Sequence, residues 1–138
     1  MGNHSRSRIR FGLVLQAVDP PNEFAGRVVE IEDSGFDYLW ITDSSLHARN
    51  VYVYLALAAT LSRNIRLGTA VTHPHTRHPG VNLSAITTIH ELSGGRAIYG
   101  IGAGDRPVTE LGVRPARVQV VREMVEVTRR LLDGETLS

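Results

Sequence analysis

In this chain of 138 residues, the position best suited to chemistry is Asp43, which follows the apolar run Tyr38-Leu39-Trp40-Ile41 with Thr42 between and Ser44 behind. A carboxylate just beyond a buried strand stands at the mouth of any pocket there and can steer charge next to a reacting group. The same Asp-Ser-Ser string can instead cap the next segment by accepting from free backbone N–H groups. Gln16, Thr72 with His73, and Asp105 stand in equivalent places after three other apolar runs. Four polar groups delivered to the ends of four strands point to a shared ligand edge, and the competing reading is that strand ends are where solvent begins. In Ile101-Gly102-Ala103-Gly104-Asp105 the glycines would let backbone approach a flat or anionic ligand closely. A dinucleotide fingerprint is not matched, because the third glycine is misplaced and Arg106-Pro107 stands where an apolar helix should start. His73, His75 and His78 invite a metal reading, but no helix or strand period puts all three on one side with a carboxylate. They read as solvated loop histidines, and no metal site is expected. Arg77 beside them is an anion contact or a surface charge.

The elements that must carry these residues alternate in type. Phe11–Leu15, Tyr38–Ile41, Ile65–Val71 and Ala97–Ile101 are short apolar runs, as expected of strands covered on both faces. Between them, Phe24, Val28 and Ile31 recur at helical spacing, and Gly35 stands where a left-handed cap belongs. Val51–Leu61 and Pro79–Leu92 predict two more helices. A last helix begins near Pro115, with Val121, Met124, Val125, Thr128 and Leu132 as its buried face and Glu126–Arg130 as an exposed i,i+4 pair. The order β-α-β-α-β-α-β-α predicts a parallel sheet with helical crossovers. An open doubly wound sheet and part of a closed barrel share this rhythm, and the pattern alone does not separate them.

Composition narrows the function classes. With no cysteine, disulfides, thiolate zinc sites and a cysteine nucleophile are excluded. A net charge of +1 argues against a nucleic-acid surface, and no apolar run is long enough to cross a bilayer. Arginines precede the apolar string FGLVLQAV, but Gln16 interrupts it and Asp19-Pro20-Pro21 follows without a cleavage site. The expectation is a disordered leader over residues 1–7, one domain over 8–138, and a cytoplasmic location.

Six strings together resemble the bacterial luciferase-like superfamily, in order and spacing. They are Gly35–Asp43 (GFDYLWITD), Asn50-Val51-Tyr52, Arg66–Thr72 (RLGTAVT), Arg77-His78-Pro79, Glu91–Ala97 (ELSGGRA) and Gly100–Asp105 (GIGAGD). The likeness is strongest to methylenetetrahydromethanopterin reductases and relatives that use the deazaflavin coenzyme F-420, and it runs from about Arg10 to the C-terminus. It implies an α/β fold, the (βα)4 half of a (β/α)8 TIM barrel. It implies an oxidoreductase that transfers hydride between a deazaflavin and a small organic substrate, incomplete without a second half. A flavin mononucleotide (FMN) monooxygenase and a non-catalytic half-barrel binding module are the alternatives.

The resemblance also assigns roles. A non-proline cis peptide at Ala70-Val71, followed by Thr72, would support the middle ring of the coenzyme, with Ala103, Gly104 and Asp105 beside it. Asp43 would be the catalytic residue near the redox face. Many deazaflavin relatives carry histidine directly after that aspartate; here Ser44 stands there, and its hydroxyl cannot act as an acid near neutral pH. His47 could reach the same space. A half-barrel would expose its first and fourth strands as edges and uncover its inward faces, with Leu13, Leu39, Ile41 and Ile98 as candidates for that surface. A homodimer, or a second half-barrel chain, is the expected partner.

Overall fold

The computed structural model describes residues 9–136. The expected leader over residues 1–7 lies outside them. Four strands, β1 (Gly12–Leu15), β2 (Tyr38–Ile41), β3 (Arg66–Thr69) and β4 (Ala97–Ile98), pair in parallel in the order β1-β2-β3-β4. Helices α1 (Pro21–Asp33), α2 (Val51–Leu61) and α3 (Pro79–Leu92) make the crossovers, and α4 (Arg106–Thr109) and α5 (Val118–Leu132) follow β4. Sequential order with no reversal is the order of a barrel wall and not of a doubly wound sheet.

Each start and stop has a local cause. Pro21 opens α1 and Pro79 opens α3, positions where a missing N–H costs nothing. Asn50 caps α2 by accepting from Tyr52 N at 3.0 Å and Val53 N at 3.3 Å. His78 caps α3 by accepting from Gly80 N through Nδ1 at 3.2 Å. Gly35, at φ 80°, turns the chain out of α1 toward β2, in a region of backbone space that favours glycine.

The core lies between sheet and helices. Leu39, Ile41 and Leu67 are fully buried against Phe24, Val28, Val51 and Leu55. Leu13 is half-buried and packs on the same cluster. Three of the four residues expected on the inward face therefore point the other way, toward the helices. The inward row is Val14, Trp40, Gly68 and Ile98, which share one register. Val14 there is 56% exposed. Trp40 fills the row: a Cβ at Gly68 would come within 2.5 Å of its ring, and one at Gly12 within 2.9 Å. Tyr38 stacks on Trp40 with ring centroids 5.8 Å apart.

Other departures from expectation cluster after β3. The strand stops at Thr69, two residues early; Ala70 N still donates to Ile41 O at 2.9 Å, the Ala70-Val71 peptide is cis, and Thr72 bridges Ile101. β4 is correspondingly short. The short helix α4 was not expected, and the last helix starts at Val118, three residues past Pro115. On α5, Met124 and Thr128 are buried, but Leu132 is exposed and Leu131 is the half-buried residue of that turn. Arg130 pairs with Glu135 at 2.6 Å and not with Glu126.

Candidate functional site

A cleft of about 570 Å³ opens at the carboxyl ends of the strands. Gln16 reaches it after β1; Thr42, Asp43, Ser44 and His47 after β2; Ala70, Val71 and His73 after β3; and the segment Ala103–Pro107 after β4. The volume falls in the range of small-molecule pockets. Of the residues assigned to the site from sequence, Asp43, Ala70, Val71, Ala103, Gly104 and Asp105 line this one cleft. Thr72 is fully buried and stands behind the wall.

Asp43 is not a cap. Its side chain is 1% exposed and forms a two-point ion pair with Arg77, Nη1 to Oδ2 at 2.5 Å and Nη2 to Oδ1 at 3.0 Å. Thr72 Oγ1 donates to the same Oδ2 at 2.8 Å. Both oxygens are engaged by donors, so the group is fixed in orientation beside the cleft. Burial pulls the Arg77 guanidinium down, but the hydrogen bond and charge of Asp43 outweigh it and leave it raised. Arg77 also lies over the Tyr52 ring, 5.3 Å from its centroid. Tyr52 in turn donates to Asn82 Oδ1 at 3.0 Å, and burial raises the Tyr52 phenol. Burial raises the Tyr99 phenol as well. Arg77 is thus neither a surface charge nor a free anion contact, since Asp43 occupies its fork.

The glycines after β4 serve packing. Thr69 Oγ1 donates to Gly100 O at 2.7 Å and accepts from Gly100 N at 2.9 Å, and Gly102 N donates to Thr72 O at 2.9 Å. A Cβ on Gly100 would sit 2.1 Å from Thr69 O, and one on Gly102 would sit 2.6 Å from Val71 Cγ2. Both glycines therefore let the chain after β4 press on the irregular backbone after β3. That contact holds Val71, 43% exposed, as an apolar ledge in the cleft.

The histidines separate. His73 is 2% exposed in the cleft wall, which overturns its reading as a solvated loop residue; its Nδ1 lies 3.0 Å from Thr76 Oγ1. His75 and His78 are exposed, and His78 is the α3 cap. His47 does line the cleft, but it is paired with Glu110, which also accepts from Arg106 at 2.7 Å. The Arg106 hydrogen bond lowers the Glu110 carboxyl. Ser44 is buried, and its carbonyl accepts from His47 N at 2.9 Å and Ala48 N at 2.8 Å.

Comparison with known proteins identifies the fold and the family. The chain is 47% identical over 108 residues to the 5,10-methylenetetrahydromethanopterin reductase of Archaeoglobus fulgidus, covering 77% of this chain and 32% of that protein. It is similar in structure to the coenzyme F-420-dependent tetrahydromethanopterin reductase of Methanopyrus kandleri, with a TM-score of 0.83 and 32% identity over 96% of this chain and 43% of that one. The oxygenating constituent of the 3,6-diketocamphane monooxygenase of Pseudomonas putida, in complex with FMN, shares the fold at a TM-score of 0.78 and 20% identity, over 94% of this chain and 41% of that one. The chain thus spans less than half the length of each of these proteins, and its four parallel β/α units correspond to part of a (β/α)8 barrel. The family profile for Luciferase-like monooxygenase matches residues 4–138, and the chain belongs to that family.

Proposed function

We propose that the cleft receives the ring system of the deazaflavin coenzyme F-420, and that the chain is the ring-supporting part of an oxidoreductase acting on a small organic substrate. One observation carries the reading. Apolar Ala70, Val71 and Ala103, with Gly104, share a single cleft with the polar groups of Gln16, Asp43 and Asp105. A flat heterocycle needs that division, an apolar ledge for its face and polar groups for its edge. The residues present fit such a group: the ledge is exposed, and the volume exceeds what one tricyclic ring requires. When bound, the coenzyme supplies the hydride chemistry. Val71 and Ala103 would hold the ring face, and Asp43, kept in place by Arg77 and Thr72, would set the charge beside it.

Ser44 offers no acid near neutral pH, and His47 is committed to Glu110. The chain's part is therefore orientation and exclusion of water, not proton donation from the loop after β2. The relatives' substrates and the remainder of their barrels belong to the proposal, as does a second β/α unit, from another copy or another chain, against the Val14–Trp40 face.

Binding of F-420 and of FMN, followed by fluorescence, tests the reading. F-420 should bind more tightly, and Asp43→Asn should weaken it about tenfold while leaving the fold intact, as expected for loss of one charge contact. Equal binding by both proteins would sink the role of Asp43. FMN is the second reading, favoured by the family's description as monooxygenases and by the shared fold with an FMN protein. Rapid oxygen consumption by the reduced, FMN-loaded protein would select it.

A further inference from the structure

The cleft wall contains two buried polar atoms that the protein itself does not satisfy. Among the described residues, His73 Nε2 and Thr42 Oγ1 have no hydrogen-bond partner, and both residues line the cleft. They come from different strands, Thr42 directly after β2 and His73 beyond the irregular end of β3. Two of the cleft's charged or ionisable side chains are already committed, Asp43 to Arg77 and Thr72, and His47 to Glu110. A buried imidazole nitrogen or hydroxyl without a partner is destabilising, so such atoms persist where a ligand or water completes them.

Thr76 bears on the tautomer of His73. Thr76 Oγ1 lies 3.0 Å from Nδ1 and can donate to it; in the tautomer that this contact accommodates, with the ring proton on Nε2, the unsatisfied atom is a donor. Resting on the ring-binding reading above, we infer that His73 Nε2–H donates to a carbonyl oxygen on the edge of the bound heterocycle, with Thr42 Oγ1 as a second edge contact. The ligand class is a planar heteroaromatic carrying exocyclic oxygens, and a deazaflavin and a flavin both qualify. Nothing in the spacing of the three histidines pointed to this, because the spacing is silent about which one turns inward.

The test uses the full chain with F-420 and FMN as probes. Asn at position 73 reproduces the reach of Nδ1, and Gln that of Nε2. His73→Asn should weaken binding about tenfold, His73→Gln should restore it to within about threefold, and Thr42→Val should weaken it several-fold. Addition of the coenzyme should also move the ¹⁵N resonance of His73 Nε2 in the unaltered protein, a readout that survives any folding failure of the variants. If the unaltered protein binds and His73→Asn binds equally well, or if the Nε2 resonance does not move, the inference falls and the ring-binding reading stands. If the unaltered protein binds neither coenzyme, both fall.

Discussion

An arginine and a carboxylate are stationed at each end of the sheet, and they are used in opposite ways. At the amino ends of the strands, Arg96 donates to the carbonyls of Ala59, Ser62, Ile65 and Ser93 and to Ser62 Oγ, at 2.6–3.1 Å. Glu32 accepts from the backbone N–H groups of Arg63, Asn64 and Ile65 at 2.6–3.1 Å. Both charges tie down the turn from α2 into β3, and that turn has no unpartnered polar side-chain atom among the described residues. At the carboxyl ends, Asp43 and Arg77 engage each other and two side chains, and the unpartnered atoms of Thr42 and His73 stand in the same wall. The first end is finished as a structure. The second carries the open cleft in which the coenzyme is proposed to bind, a division in keeping with the two faces of a β/α barrel.

The comparison breaks most readily at Arg96. Arg96→Met should cost about 4 kcal/mol in denaturant unfolding, because four backbone carbonyls and one hydroxyl lose their donor, while coenzyme affinity of the folded protein stays within twofold. A large loss of affinity at unchanged stability would mean the amino-end clamp is not merely structural.

Arg77→Met should cost about 3 kcal/mol, since it leaves Asp43 buried without its cation, and here affinity should fall as well. The double replacement with Asp43→Asn should recover part of the stability and none of the affinity. Full additivity in a double-mutant cycle would show that the pair is not coupled.

The smallest effect belongs to Glu32. Burial raises its carboxyl, but the three backbone N–H donors outweigh burial and leave it lowered. A carboxyl lowered on folding contributes stability that is present above its unfolded value and is lost as pH falls through the lower folded value. Glu32→Gln should therefore cost on the order of 1 kcal/mol at pH 7 and flatten the acid limb of unfolding. An unchanged slope between pH 5 and pH 2 would remove Glu32 from the clamp.

Much of this was legible in the sequence. Apolar runs of four residues, spaced by helical periods and closed by Gly35, were enough to place β1, β2, α1, α2 and α3, because burial on one side imposes a period that survives in the residue order. The resemblance added the barrel and pointed to Asp43, the cis bond at Ala70-Val71 and the Ala103–Asp105 segment. The short helix α4 is not legible because Arg106-Pro107 stands out only as a departure from a dinucleotide fingerprint, although proline is an ordinary first-turn residue.

What residue order could not decide is where side chains meet across strands. Leu39 and Trp40 are neighbours in one apolar run, yet one faces the helices and the other the inward row, and the alternation alone does not say which face is which. Arg77 and Asp43 are 34 positions apart, and only the packing of the loop after β3 onto the end of β2 joins them. The same packing buries His73 and leaves His75 and His78 in solvent. Local pattern determined the elements because burial is periodic along the chain. The tertiary structure decided the site because a hydrogen bond needs its partners within about 3 Å in space, whatever their distance in sequence.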